Sequence, residues 1–128
     1  MIQRKTFLKT SDKTNVKWYQ TIHLYKGFKR KVTFISLFIK GTVKRIKPPK
    51  LEYKGFKRKY LKKGSLVRAL IIRTKLKKKL NNHFYYDQYK NSSIIIRKKN
   101  VTRSKHFFGM VEKALLRKKF LSLFPRFI

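Results

Sequence analysis

The chain has 128 residues, of which 37 are Lys or Arg and only four are Asp or Glu, a formal net charge of +33. Self-repulsion on that scale opposes a compact state, so the composition calls for a dense polyanion as partner; with 41% hydrophobic and 15% aromatic residues the chain is nonetheless a folded domain rather than a disordered basic tail. The absence of Cys excludes disulfides, thiolate zinc sites and Cys nucleophiles, and the longest mainly apolar run, Val32–Ile39, is far too short for a membrane helix.

The first half of the chain reads as β, with a last short strand beyond it. Thr6–Thr10 forms the first expected strand. Val16, Trp18, Gln20, Ile22 and Leu24 then alternate with Lys17, Tyr19, Thr21 and His23, the period-two pattern of a strand buried on one face. Ser36–Ile46 is rich in branched and aromatic residues. Leu66–Thr74 sets Leu66, Arg68, Leu70 and Ile72 against Val67, Ala69, Ile71 and Arg73 on the opposite face, and Ser93–Arg97 gives a last short strand. Short strands separated by turn signals suggest a small barrel or sandwich. Its expected core contains Phe7, Trp18, Ile22, Leu24, Leu70 and Ile72. After Lys105, Phe108, Val111 and Leu115 recur at helical spacing, which predicts one short helix near Met110–Lys119, with Pro125 ending regular structure.

One segment is duplicated. Tyr25-Lys26-Gly27-Phe28-Lys29-Arg30-Lys31 recurs letter for letter as Tyr53-Lys54-Gly55-Phe56-Lys57-Arg58-Lys59. Each copy offers three cations at a loop tip beside rings able to stack on a base; the alternative is a loop shared through biased composition.

Chemistry finds little footing. Asp12, Glu52, Asp87 and Glu112 are scattered, whereas a two-carboxylate mechanism or a metal cage needs acids brought together. In this field of cations each acid reads as an ion-pair partner. His23, His83 and His106 have no zinc spacing, and no nucleophile elbow or phosphate-binding glycine loop occurs. No catalytic residue, cofactor or metal is expected. Cationic clusters are the dominant signal: 29–31, 57–59, 62–63, 75 with 77–79, 97–99, 103 with 105, and 117–119. Most fall between strands, where loops project. A helical DNA reader is not evident, and a membrane binder gathers its charge on one amphipathic helix. Charge on several sides of a β domain suits folded RNA.

In order along the chain, several short motifs resemble the universal large-subunit ribosomal protein fourteen family. They are Met1-Ile2-Gln3 with Thr6 and Leu8; Asp12–Val16; Gly27 with Lys29-Arg30-Lys31; and Lys40-Gly41-Thr42-Val43-Lys44 with Pro48. Most specific is Lys62-Lys63-Gly64-Ser65-Leu66, followed by Ala69-Leu70-Ile71-Ile72-Arg73-Thr74-Lys75. Phe108-Gly109-Met110-Val111 and Ser122-Leu123-Phe124-Pro125 close the series. The chain departs from the family pattern at Leu51–Tyr60, which reads as an insertion, at Ser36-Leu37, at Asp87-Gln88 and at Met110. It is also about three residues short between Gly109 and Pro125.

The resemblance implies one domain over 1–128: a closed five-stranded β-barrel with basic loops over 1–104 and a helical extension over 105–128. It implies a structural constituent of the large ribosomal subunit at the intersubunit face, bound to large-subunit rRNA and helping bridge to small-subunit rRNA. Ribosomal proteins three and nineteen would be neighbours, and a ribosome-silencing factor would dock on the same surface. Expected RNA contacts are Lys29, Arg30, Lys31, Lys57, Arg58, Lys59, Lys62, Lys63, Arg73, Lys75, Lys77, Lys78, Arg97 and Lys98. Arg117 and Lys118 are the expected bridge residues. Lys outnumbers Arg 27 to 10 and there are two Ala, the codon signature of an AT-rich genome. With the family start at position 1, this leads to the expectation of an organelle-encoded protein of a protist mitochondrion. The competing reading is an architectural protein packaging organellar nucleic acid.

Overall fold

The computed structural model describes residues 1–27, 29–48, 60–75, 78–81, 84–86, 88–112, 115, 120 and 122, with backbone alone for 78–81, 84–86 and 98. Alternating runs become strands: β1 (Ile2–Gln3), β2 (Phe7–Thr10), β3 (Val16–His23), β4 (Val32–Thr33), β5 (Phe38–Ile46), β6 (Leu66–Arg73), β7 (Lys78–Asn81), β8 (Phe84–Tyr86) and β9 (Ser92–Ile96). A closed barrel runs β2-β3-β5-β6-β9, so all five expected strands take part and the expected barrel is present. Neighbours are antiparallel except at the seam, where β2 and β9 run parallel with Lys9 opposite Ser92. Closure removes the free sheet edges that invite association. Bulges along β3 and β5 bend these long strands round the barrel. Two small antiparallel pairs, β1 with β4 and β7 with β8, lie outside the barrel sheet.

Side-chain parity gives two cores rather than one. Leu8, Tyr19, Ile39, Val43, Val67, Ala69, Ile71 and Ile95 belong to a buried cluster built from the barrel strands. Leu70, Ile72, Ile94 and Ile96 point the other way and pack beneath Phe107, Val111, Leu115 and Phe120 of the C-terminal segment. Burying each such side chain stabilises the fold by about 1.5–3 kcal/mol. Strands β6 and β9 are therefore covered on both faces, which accounts for their continuous apolar runs.

Val16 and Leu24 are buried as expected, but the expected phase is corrected between them and in β2. Phe7 is 51% exposed and Ile22 47% exposed, while Leu8 and Tyr19 are fully buried. Trp18 is half-buried, on the same outer parity as Ile22. A one-residue change of phase exchanges the faces of a strand. The winner is Tyr19, which fills the interior and shares a hydrogen bond between its hydroxyl and the Ser93 hydroxyl. Room for the ring comes from Gly41: a Cβ there would lie 2.8 Å from Tyr19 Cδ2 and overlap the Gln20 carbonyl oxygen. Leu70 and Ile72 are buried as expected, but in the outer core.

Most of the expected C-terminal helix lies outside the described residues. Within it, Met110, Val111 and Glu112 are not helical, and Leu115 N donates to Glu112 O at 3.1 Å. The expected 51–60 insertion likewise falls outside the described residues except for Tyr60, whose hydroxyl donates to Lys47 O at 3.0 Å. Among the described residues, no helix is long and apolar enough to cross a membrane.

Candidate nucleic-acid interface

Strand directions sort the expected RNA contacts into two groups. The β3–β5 connection, with Lys29, Arg30 and Lys31, leaves the barrel at one end, as do Arg73 and Lys75 at the close of β6. The Lys62-Lys63 turn before β6 and Arg97 after β9 leave at the other end. Lys29, Lys31, Lys62, Lys63, Lys75 and Arg97 are exposed. Cations on such loops meet phosphates as point charges when Lys and as bidentate forks when Arg.

Each loop is held from within. At the first, Tyr25 and Lys26 both take left-handed backbone, φ +55° and +57°, a conformation costing non-glycine residues about 1–2 kcal/mol each. Three contacts offset that cost. Tyr25 N donates to His23 Nδ1 at 3.1 Å, the two rings meet edge to face at 5.1 Å, and the Arg68 guanidinium lies 5.7 Å from the Tyr25 ring centroid and 4.2 Å from that of Phe38. Arg30 is half-buried, and its Nε donates to Val32 O at 2.9 Å. At the second, Gly64 N donates to Val43 O at 2.8 Å and Ser65 Oγ to Lys62 O at 2.6 Å, projecting Lys62 and Lys63. Lys75 is fixed through its N–H, which donates to Asn91 Oδ1 at 2.7 Å.

Arg73 is different from the other expected contacts, because its guanidinium turns inward. Nε donates to Ser92 Oγ at 2.9 Å, and one terminal nitrogen donates to Ser11 Oγ and to Phe108 O at 3.1 Å. The other terminal nitrogen donates to Met110 O at 3.3 Å. Burial pulls its pKa below the ordinary arginine value. Its geometry clamps the 108–110 segment to the barrel seam.

Asp12 is also more than an ion-pair partner. The carboxylate is buried and accepts Ile95 N–H at 2.9 Å, the Thr14 hydroxyl at 2.5 Å and Thr14 N–H at 3.3 Å. Desolvation raises its pKa, against the pull of these donors and of Lys47. Asp12 also bridges to Phe107, so it ties the C-terminal segment to Ile95 near the end of β9.

Lys57, Arg58, Lys59, Lys77, Arg117 and Lys118 lie outside the described residues. Lys78 pairs with Tyr86 through the β7–β8 ladder, and the Lys98 backbone opens the 3-10 turn Lys98–Asn100. The fold also gathers cations that no sequence cluster contains: Lys9, Lys17, Lys47 and Lys90 meet around Arg73. They come from four separate segments, so only strand pairing brings them together. Compared with families of known proteins, residues 1–126 match the model described as ribosomal protein L14p/L23e.

Proposed function

The chain belongs to the ribosomal protein L14p/L23e family, and from that premise we propose how it works. It is a structural, non-enzymatic constituent of the large ribosomal subunit that binds rRNA. Its action is charge neutralisation and positioning of RNA without turnover.

Lys29, Arg30, Lys31, Lys62, Lys63, Lys75 and Arg97 contact rRNA phosphates from the two ends of the barrel, together with Lys77, Lys78, Lys98 and the 57–59 triplet of the insertion. Arg73 contributes by holding the 108–110 segment in place. The chain acts as one domain, with its barrel over 1–104 and a C-terminal extension over 105–128. The intersubunit face is its address, with Arg117 and Lys118 helping bridge to small-subunit rRNA. Ribosomal proteins three and nineteen are its neighbours, and a ribosome-silencing factor docks on the same surface. A mitochondrial ribosome is the proposed location, supported by the excess of Lys over Arg and the scarcity of Ala.

The observation that carries this reading is the family match over residues 1–126. It is tested by sedimenting ribosomal particles through sucrose. The protein is expected with large subunits and is expected to leave them on RNase but not DNase treatment. Recovery only with small subunits or free protein overturns the assignment, and release by DNase favours nucleic-acid packaging.

A further inference from the structure

A cleft of about 670 Å³ opens beside the parallel seam of β2 and β9. Pockets of about 300–1,000 Å³ are the size that holds a small molecule or a single residue of a polymer. Lys9, Lys17, Lys47 and Lys90 line it, with Tyr89 and Phe108. These two rings are 80% and 55% exposed, so their faces are open to a ligand. Among the described residues of the lining Asp12 is the sole carboxylate, and its oxygens are already engaged by Thr14 and Ile95.

Gln88 lines the same wall, and its Oε1 is buried without a hydrogen-bond partner among the described residues. The floor is rigid: Arg73 spans Ser11, Ser92 and the 108–110 carbonyls, and Lys47 Nζ donates to Thr14 O at 3.2 Å.

Cations with no free acid among the described lining residues, and flat rings at the mouth, form a set that an anion alone would not use. We propose that this cleft takes one unstacked nucleotide of single-stranded RNA. Lys9, Lys17 and Lys90 meet its flanking phosphates, and Tyr89 and Phe108 stack on its base. The proposal rests on the rRNA-binding reading and adds a base-dependent site to its phosphate contacts.

The test compares full-length protein binding to a short single-stranded RNA and to an abasic ribose-phosphate chain of the same length. Both carry the same charge. The base-bearing RNA is expected to bind tighter by about 5- to 150-fold, the span of one stacked base. Tyr89→Ala and Phe108→Ala each shrink that preference, while Tyr89→Phe keeps it. Lys9→Ala weakens both ligands alike. Equal wild-type binding of the two chains overturns the cleft proposal and leaves rRNA binding standing, as does a preference that survives both alanine variants. Failure to bind either chain overturns the RNA-binding reading as well. Tyr89-dependent binding of a polyglutamate peptide in place of RNA also overturns the proposal, in favour of an acidic protein segment.

Discussion

Arg73 and Gly109 are packed so closely that a Cβ on Gly109 would overlap the guanidinium nitrogen. Gly109 has φ +83°, a conformation strained for any other residue. The contact lets Arg73 reach the carbonyls on both sides of the glycine, Phe108 O and Met110 O. It joins the end of β6 to the segment that covers the outer core.

Gly109→Ala is therefore expected to destabilise the fold by about 1–3 kcal/mol, combining left-handed backbone strain with loss of the arginine clamp. Arg73→Lys keeps the charge but cannot reach four acceptors, and falls in the same range by loss of buried hydrogen bonds, about 1–3 kcal/mol. Thermal unfolding checks both. A double variant losing much less than the sum of the two singles identifies them as one unit.

The phase of the barrel strands gives a second prediction. Leu8→Ala and Leu70→Ala each leave a cavity, one in each core, and are expected to cost about 2–5 kcal/mol. Phe7→Ser and Ile22→Thr change outward positions and are expected to stay within about 0.5 kcal/mol of wild type. Urea unfolding midpoints distinguish the pairs. The reverse order places Phe7 and Ile22 inside the barrel.

Asp12 sets an unusual pH response. Burial raises its pKa above the ordinary 3.8. Between that value and the folded one the native chain holds more protons than the unfolded chain, so this group's contribution to stability rises as pH falls. The wild type is expected to gain stability relative to Asp12→Asn as the buffer is acidified toward pH 3.8. Melting curves of the pair across that window measure it, and a relative loss for the wild type means the donors from Ile95 and Thr14 outweigh desolvation.

The five barrel strands were legible in the sequence because each is a run of branched and aromatic residues bounded by turns. Phase was not legible in β2 and β3, where Phe7 adjoins Leu8 and Trp18 adjoins Tyr19, so both faces read as apolar. Only the close approach at Gly41 and the hydrogen bond to Ser93 settle which ring goes inside, and both are long-range. The second core was hidden for a related reason. Ile94, Ile95 and Ile96 form a continuous run whose two faces serve different partners, one of them the C-terminal segment. Clustered loop cations such as Lys62 and Lys63 announce themselves in composition, whereas Lys9, Lys17, Lys47 and Lys90 are single lysines until the pairing of the barrel strands assembles them. Arg73 read as one more cation because nothing in its neighbourhood of the chain marks Ser11 or Phe108 as its acceptors.

The central claim is that the charge of +33 serves rRNA binding through many phosphate contacts. Its most direct test is the affinity of the full chain for large-subunit rRNA as salt is raised. With about 6–10 phosphates engaged, affinity should fall by about 10³–10⁵ between about 50 and 200 mM salt, linearly on a double-logarithmic plot. A flat response would contradict the account.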